Sequence, residues 1–214
     1  MVRALYAQAG GDERLIPWAD MVVNPGLVEW LARKEIVGGG RKCITIGCGL
    51  GDDAEAMARL GFEVVAFDIS PTAIEWCRAR FPGSRVHYCV ADLFASPESW
   101  NVAFDFVLES YTLQVLPPDL RSRAMECMAR GVARGGTLLV LARGRDSEDD
   151  PGSMPWPLTR DELDHFRRAG LEKIAFEDYL DREDLPVRRF RVEYRREIPL
   201  PTGGPSRSGR GRWP

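Results

Sequence analysis

Residues 43–53 read CITIGCGLGDD, and this stretch decides the fold. Cys43, Ile44 and Ile46, interrupted by Thr45, have the apolar character of a short buried strand. Gly47, Gly49 and Gly51 follow in alternation with Cys48 and Leu50. Asp52 and Asp53 then open a helical pattern, DDAEAMARL, which Gly61 stops. A strand, a glycine-rich turn and a helix N-terminus together form a place where a ligand lies close to the backbone. No Cβ holds it off, and unpaired N–H groups face it.

Glycines also serve ordinary turns, so the next segment carries the argument. FEVVAFDIS is an apolar strand that ends in Asp68, about 20 residues beyond Gly47. A carboxylate at the end of a second strand suits the two hydroxyls of a ribose. The glycine spacing bears on which nucleoside is bound. Dinucleotide sites favour GxGxxG, whereas the third glycine here comes two residues after the second, with Asp52 and Asp53 behind it. Two carboxylates at that helix start repel a pyrophosphate, while the helix dipole tolerates them. An adenosine without phosphates is the better fit.

At this point the sequence resembles the class I S-adenosylmethionine-dependent methyltransferases. The run GCGLGDDAEAMARLGFEVVAFDISPTAIEWCRARFP is similar to the thiopurine S-methyltransferase and tellurite-resistance branch, which acts on small molecules. The resemblance extends from about Trp18 to Arg196 and is specific between Ile44 and Leu93. It implies a Rossmann-like, doubly wound α/β sheet of seven strands with the last antiparallel. It also implies S-adenosyl-L-methionine as cofactor and S-adenosyl-L-homocysteine as product. By the same resemblance Gly47 and Gly49 cradle the methionine part of the cofactor, and Trp18 belongs to an N-terminal lid. Asp92 receives the adenine amino group, and the backbone N–H of Leu93 meets the ring. Ile69, next to Asp68, packs on the adenine face. Thr45 departs from the pattern, since many relatives carry Asp or Glu there to hold the amino end of the cofactor.

The rest of the chain fits one domain. Its 214 residues suffice for a full core, and a formal net charge of −3 gives no basic field to draw nucleic acid or a membrane surface. No apolar run of spanning length and no leader pattern is found. Five cysteines, at 43, 48, 77, 89 and 127, sit mostly in apolar patterns and read as reduced thiols of a cytoplasmic protein. No Cys/His cluster has the spacing of a metal site. The expected organisation is an N-terminal lid segment over residues 1–40, a methyltransferase domain over 41–198 and a disordered tail over 199–214. A monomer or weak dimer is expected.

In chain order, a helix around Gly26 to Lys34 puts Leu27, Trp30 and Leu31 on one face. Ser70-Pro71 supplies an N-cap and first-turn proline for the helix after the second strand. Arg85 to Val90 is a third strand and Phe104 to Glu109 a fourth. The end of the fourth strand faces the ligand crevice in such sheets, which makes Glu109, Ser110 and Tyr111 candidates for the junction of cofactor and acceptor. Glu109 and Tyr111 are the candidate catalytic groups, taking a proton from the acceptor or orienting it. Glu109 is also counted with the cofactor contacts. The Asn-Pro-Pro-aromatic tetrapeptide of amino-group methylating relatives is not present, which argues against DNA adenine or glutamine as acceptor.

Beyond that strand, a helix from Pro118 to Arg134 stops at Gly135-Gly136 before a fifth strand, TLLVLA. The loop RGRDSEDDPGSMPWP reads as a solvated acidic loop whose Met154 and Trp156 form apolar walls of an acceptor pocket. Thr159 to Glu162 is a capping box for the helix LDHFRRAG. Two strands follow, the second alternating Arg189, Arg191, Glu193 and Arg195 with Phe190, Val192 and Tyr194, as a solvated or partly covered face. His87 and His165 read as structural. The acceptor atom stays open among sulfur, selenium, nitrogen, oxygen and halide. The alternatives are a nicotinamide-dinucleotide oxidoreductase and a non-catalytic protein that keeps the fold.

Overall fold

A computed structural model describes Tyr6, Gln8, Ala9, Leu15, Ile16 and residues 21–198. The expected lid tryptophan, Trp18, and the tail over 199–214 lie outside these described residues. The strands are β1 (Lys42–Ile46), β2 (Glu63–Asp68), β3 (His87–Val90), β4 (Phe104–Ser110), β5 (Val132–Arg143), β6 (Glu172–Leu180) and β7 (Arg188–Arg195). They form one seven-stranded sheet in the order β3-β2-β1-β4-β5-β7-β6. Pairing is parallel from β3 through β5, and β7 runs antiparallel to both its neighbours. The seven-stranded sheet with its last strand antiparallel is therefore present as expected.

Period-two alternation sorts each central strand into two cores. Ile44, Ile46, Val107, Leu138 and Val140 face one side, packed with α4 (Pro118–Gly131) through Ala124, Met125 and Met128. Cys43, Phe106, Leu108, Leu139 and Leu141 face the other, under α1 (Pro25–Arg33), α2 (Asp52–Arg59) and α3 (Pro71–Arg80). With both faces covered, these strands read as nearly continuous apolar runs. The chain leaves β1 for β2 on one side and later returns to β4 on the other. That reversal opens a crevice beyond the C-terminal ends of β1 and β4.

Local signals set most helix starts. Asn24 caps α1, its side chain accepting from Gly26 N–H at 2.9 Å, and Ser70 caps α3 ahead of Pro71. The capping box of Thr159 and Glu162 is formed, but the helix behind it is split into α5 (Arg160–Leu163) and α6 (His165–Arg168).

Three boundaries differ from the sequence reading. The third strand begins at His87. α4 ends at Gly131, and Gly135-Gly136 lies inside β5 instead of stopping the helix. A Cβ on Gly136 would stand 2.9 Å from the carbonyl oxygens of Phe104 and Ala133, so glycine is needed where the β4–β5 register shifts.

The charged face of β7 is covered. Arg191 is buried, donating to Glu177 at 2.6 Å and to the Gly26 carbonyl at 2.8 Å, while Lys34 reaches buried Glu193 at 3.0 Å. The side chains of α1 and β6 thus match a strand whose charges, unpaired, would cost several kcal/mol to bury.

Candidate active site

Gly47, Gly49 and Gly51 all have positive φ, at 58°, 53° and 92°. At Gly47 a Cβ would fall 2.5 Å from Thr112 Oγ1, and at Gly51 2.6 Å from the Tyr88 hydroxyl. The turn is thus closed to side chains by conformation and by contact. It forms the floor of a cavity of about 200 Å³ at the crevice. Thr112 Oγ1 donates to the Ile46 carbonyl at 2.8 Å and ties the loop after β4 to the end of β1. Thr45 also lines the cavity; it is buried, and its hydroxyl has no hydrogen-bond partner.

Asp68 ends β2 at the cavity. Its Oδ2 accepts from Gly49 N–H at 3.1 Å and its Oδ1 from Ser70 N–H at 2.8 Å. Burial raises its pKa above the usual aspartate value, partly opposed by these backbone donors. Ile69, Asp92 and Leu93 share the cavity wall. Asp92 does two things, because its Oδ1 also accepts from Phe94 N–H at 2.9 Å and caps the turn Leu93–Ala95.

The two acids at the start of α2 are engaged by the protein. Asp52 takes both guanidinium nitrogens of Arg80 at 2.8 Å, and Asp53 accepts from Asn24 N–H at 2.8 Å. Arg80 balances one of the two charges that the sequence set against a pyrophosphate.

The fourth-strand candidates separate. Leu108 and Ser110 line the cavity and Glu109 does not, because successive side chains alternate across the sheet. Glu109 is fully buried beneath the loop, with Oε1 accepting from Leu113 N–H at 2.8 Å and Oε2 unpartnered. Burial pushes its carboxyl up to about 7. The bond to Leu113 ties β4 to the loop that carries Tyr111 and Thr112. Tyr111 does line the cavity. Burial pushes its phenol up to about 12, against the nearby Arg189 cation and a hydrogen bond with Asn24.

Residues 44–136 match the family model described as a methyltransferase domain. Together with the sheet order and the glycine cradle, this identifies the architecture. The fold is that of the class I S-adenosylmethionine-dependent methyltransferases. Among curated proteins, the carboxy-S-adenosyl-L-methionine synthase of Yersinia enterocolitica is 28% identical over 131 residues, or 58% of this chain and 47% of that protein. The chain spans about half the length of that relative. Among solved structures, the 1,6-didemethyltoxoflavin-N1-methyltransferase of Burkholderia thailandensis superposes with a TM-score of 0.71 at 18% identity, covering 92% of this chain and 88% of that one. TehB from Haemophilus influenzae gives 0.68 at 16% identity, covering 84% of this chain and 64% of that one.

The residues present suit the methyltransferase cofactor. A cradle that side chains would fill, acids at the ends of β2 and near β3, and the orphaned Thr45 hydroxyl all open on one cavity.

Several cavity residues escaped the sequence reading. Tyr6, Met21 and Val22 come from the N-terminal segment, as does Asn24, whose place before Pro25 is the signal that could have marked it as a helix cap. Met154 and Trp156 are not among the lining residues. Trp156 N–H donates to the Gln114 carbonyl at 2.7 Å, which docks that loop on the turn Leu113–Val115. The acidic loop is organised by Arg145, which donates to the carbonyls of Asp146, Ser147 and Asp149, and by Arg188, 2.9 Å from Asp146. Among the described residues no group of three or more His, Cys, Asp or Glu side chains is placed to hold a metal ion, and no helix is long and apolar enough to cross a membrane.

Proposed function

We propose that this protein transfers the methyl group of S-adenosylmethionine to a small-molecule acceptor, a thiol or another heteroatom nucleophile, and releases S-adenosylhomocysteine. The observation that carries this reading is the shared cavity on which Gly47, Gly49, Asp68 and Asp92 converge at the C-terminal edge of the sheet. When bound, S-adenosylmethionine supplies a sulfonium methyl already activated for in-line displacement. The chain's own work is then to bind and to align, which supplies much of the acceleration in such a reaction.

Gly47 and Gly49 leave room for the methionine part, and the Thr45 hydroxyl stands where the resembled branch carries an acid. Asp68 accepts from the ribose hydroxyls. Ile69 and Leu93 flank the adenine, and Asp92 accepts from its amino group. Tyr111 orients the acceptor. Its phenol keeps its proton at neutral pH, which makes it a hydrogen-bond donor and not the general base.

The likeness to TehB and the run from Gly47 to Pro82 support placing the protein in the thiopurine and tellurite-resistance branch. Tyr6, Met21 and Val22 at the cavity support residues 1–40 as a lid on a catalytic domain over 41–198. Unpaired cysteines and the covered charges of β7 support a cytoplasmic enzyme that acts on small molecules, as a monomer or weak dimer, and not on nucleic acid or membranes.

Calorimetry tests the reading. S-adenosylhomocysteine should bind with one-to-one stoichiometry and nicotinamide dinucleotides should not. A labelled-methyl screen of thiols, aromatic heterocycles and carboxylates should then yield a methylated product. Tight dinucleotide binding with no response to S-adenosylhomocysteine would overturn it.

A further inference from the structure

Tyr111 holds a backbone conformation that tyrosine seldom takes, with φ of +66° directly after β4. A left-handed residue other than glycine is strained and persists only where its surroundings impose it. Two contacts impose it here. Tyr111 N–H donates to the Leu141 carbonyl at 3.0 Å, which continues the pairing of β4 with β5. The Arg189 guanidinium lies over the ring, 5.0 Å from its centroid.

Arg189 is itself rigidly held. It is 5% exposed, and its Nε and Nη2 donate to Asp181 and Glu183, each at 2.6 Å. Asp181 in turn accepts from Val187 N–H at 2.9 Å, closing the β6–β7 connection around the pair. Tyr111 lines the cavity and Arg189 does not, so the ring stands between the guanidinium and the cavity. A cation over a ring face is attracted to it most where water is excluded, which opposes the strain of the backbone.

The Asn24 side chain has partners of its own: its Oδ1 accepts from Gly26 N–H at 2.9 Å and its Nδ2 donates to Ser110 Oγ at 3.1 Å. The Tyr111 phenol keeps its proton at neutral pH and belongs to a residue that lines the cavity, which suits it to donate there.

Resting on the methyl-transfer reading, we propose that Arg189, clamped by Asp181 and Glu183, is a positioning residue that fixes Tyr111 at the acceptor end of the cavity as a hydrogen-bond donor. The acceptor class that this selects carries a lone-pair atom beside the one to be methylated. A purely apolar thiol would leave the donor unanswered.

Carbon-13 tyrosine NMR tests the proposal on the whole chain, with the Tyr111 signal assigned through Tyr111→Phe. The groups facing the phenol are Asn24, Arg189, Tyr179 and Asp181. In the unsubstituted protein Tyr111 should titrate near 12. In Arg189→Met the phenolate loses its neighbouring cation and Tyr111 should titrate higher, with Arg189→Lys holding it close to the unsubstituted value. Affinity for S-adenosylhomocysteine should stay within about twofold, while kcat/KM for methyl transfer falls by roughly tenfold or more. A Tyr111 titration that stays put or falls in Arg189→Met overturns the proposal. If Arg189→Met does not fold, Arg189→Gln removes the charge while keeping polar contacts to Asp181 and Glu183, and should give the same upward move. Failure of S-adenosylhomocysteine to bind the unsubstituted protein would instead overturn the methyl-transfer reading, leaving the Tyr111 titration as a separate result.

Discussion

Replacing Glu109 with glutamine should make the protein more stable at pH 8 and leave it nearly unchanged at pH 5. The side chain is 0% exposed, and one carboxylate oxygen has no partner. Burial lifts its pKa from 4.5 to about 7, although backbone N–H groups of Leu113, Thr112 and Leu141 favour the ionised form. Between those two values the folded chain holds a proton that the unfolded chain has released. Stability therefore falls as pH rises through this window, the opposite of the usual salt-bridged carboxylate. At 1.36 kcal/mol for each pKa unit, the gap amounts to about 3 kcal/mol lost between roughly pH 4 and pH 8. Glutamine retains the oxygen that Leu113 N–H requires and carries no charge, so this dependence disappears. Its NH2 meets the same unpartnered spot, which adds a pH-independent cost of about 1 kcal/mol. Urea unfolding from pH 5 to 8.5 should show the two curves diverging, with Glu109→Gln ahead by about 1–3 kcal/mol at the alkaline end. Affinity for S-adenosylhomocysteine should not change, because Glu109 does not reach the cavity. Parallel stability curves across this range would refute the reasoning.

Asp68→Ala should weaken S-adenosylhomocysteine binding by at least about tenfold in calorimetry and also cost about 1–3 kcal/mol in urea unfolding, because Gly49 N–H and Ser70 N–H both lose their acceptor. Unchanged affinity would remove the ribose assignment. Gly47→Ala should cost about 2–4 kcal/mol, combining a left-handed alanine with displacement of Thr112, which already lies 2.5 Å from the position of the new Cβ. Gly39→Ala is its control: the same φ of +58° with nothing within 4 Å should cost only the backbone part, about 1–2 kcal/mol in the same assay.

Much of the cofactor end was legible because its signals are local. The Gly47–Gly51 turn, the Ser70 cap and the acids closing β2 and following β3 each sit within a few residues of the element that positions them. The acceptor end was harder to read. Glu109, Ser110 and Tyr111 were candidates there together, and Ser110 and Tyr111 line the cavity while Glu109 does not, because a strand's alternation gives two faces without saying which one opens on the crevice. The helix stop assigned to Gly135-Gly136 failed for a similar reason. A glycine pair that ends a helix and one that relieves a strand register look alike until the partner strand, here Phe104, is in place.

The sequence alone determined what depends on short-range chain geometry: a strand, a turn closed to side chains, a helix, and carboxylates at the strand ends, hence a doubly wound sheet and a phosphate-free adenosyl ligand. Tertiary structure decided what depends on residues far apart in the chain. Asn24 meets Asp53 and Ser110, Arg189 comes to rest beneath Tyr111, Arg191 of β7 finds Glu177 on β6, and Lys34 reaches Glu193 of β7. Those contacts arise from packing two cores against one sheet, and no local pattern of hydrophobicity or charge encodes which distant side chain will arrive.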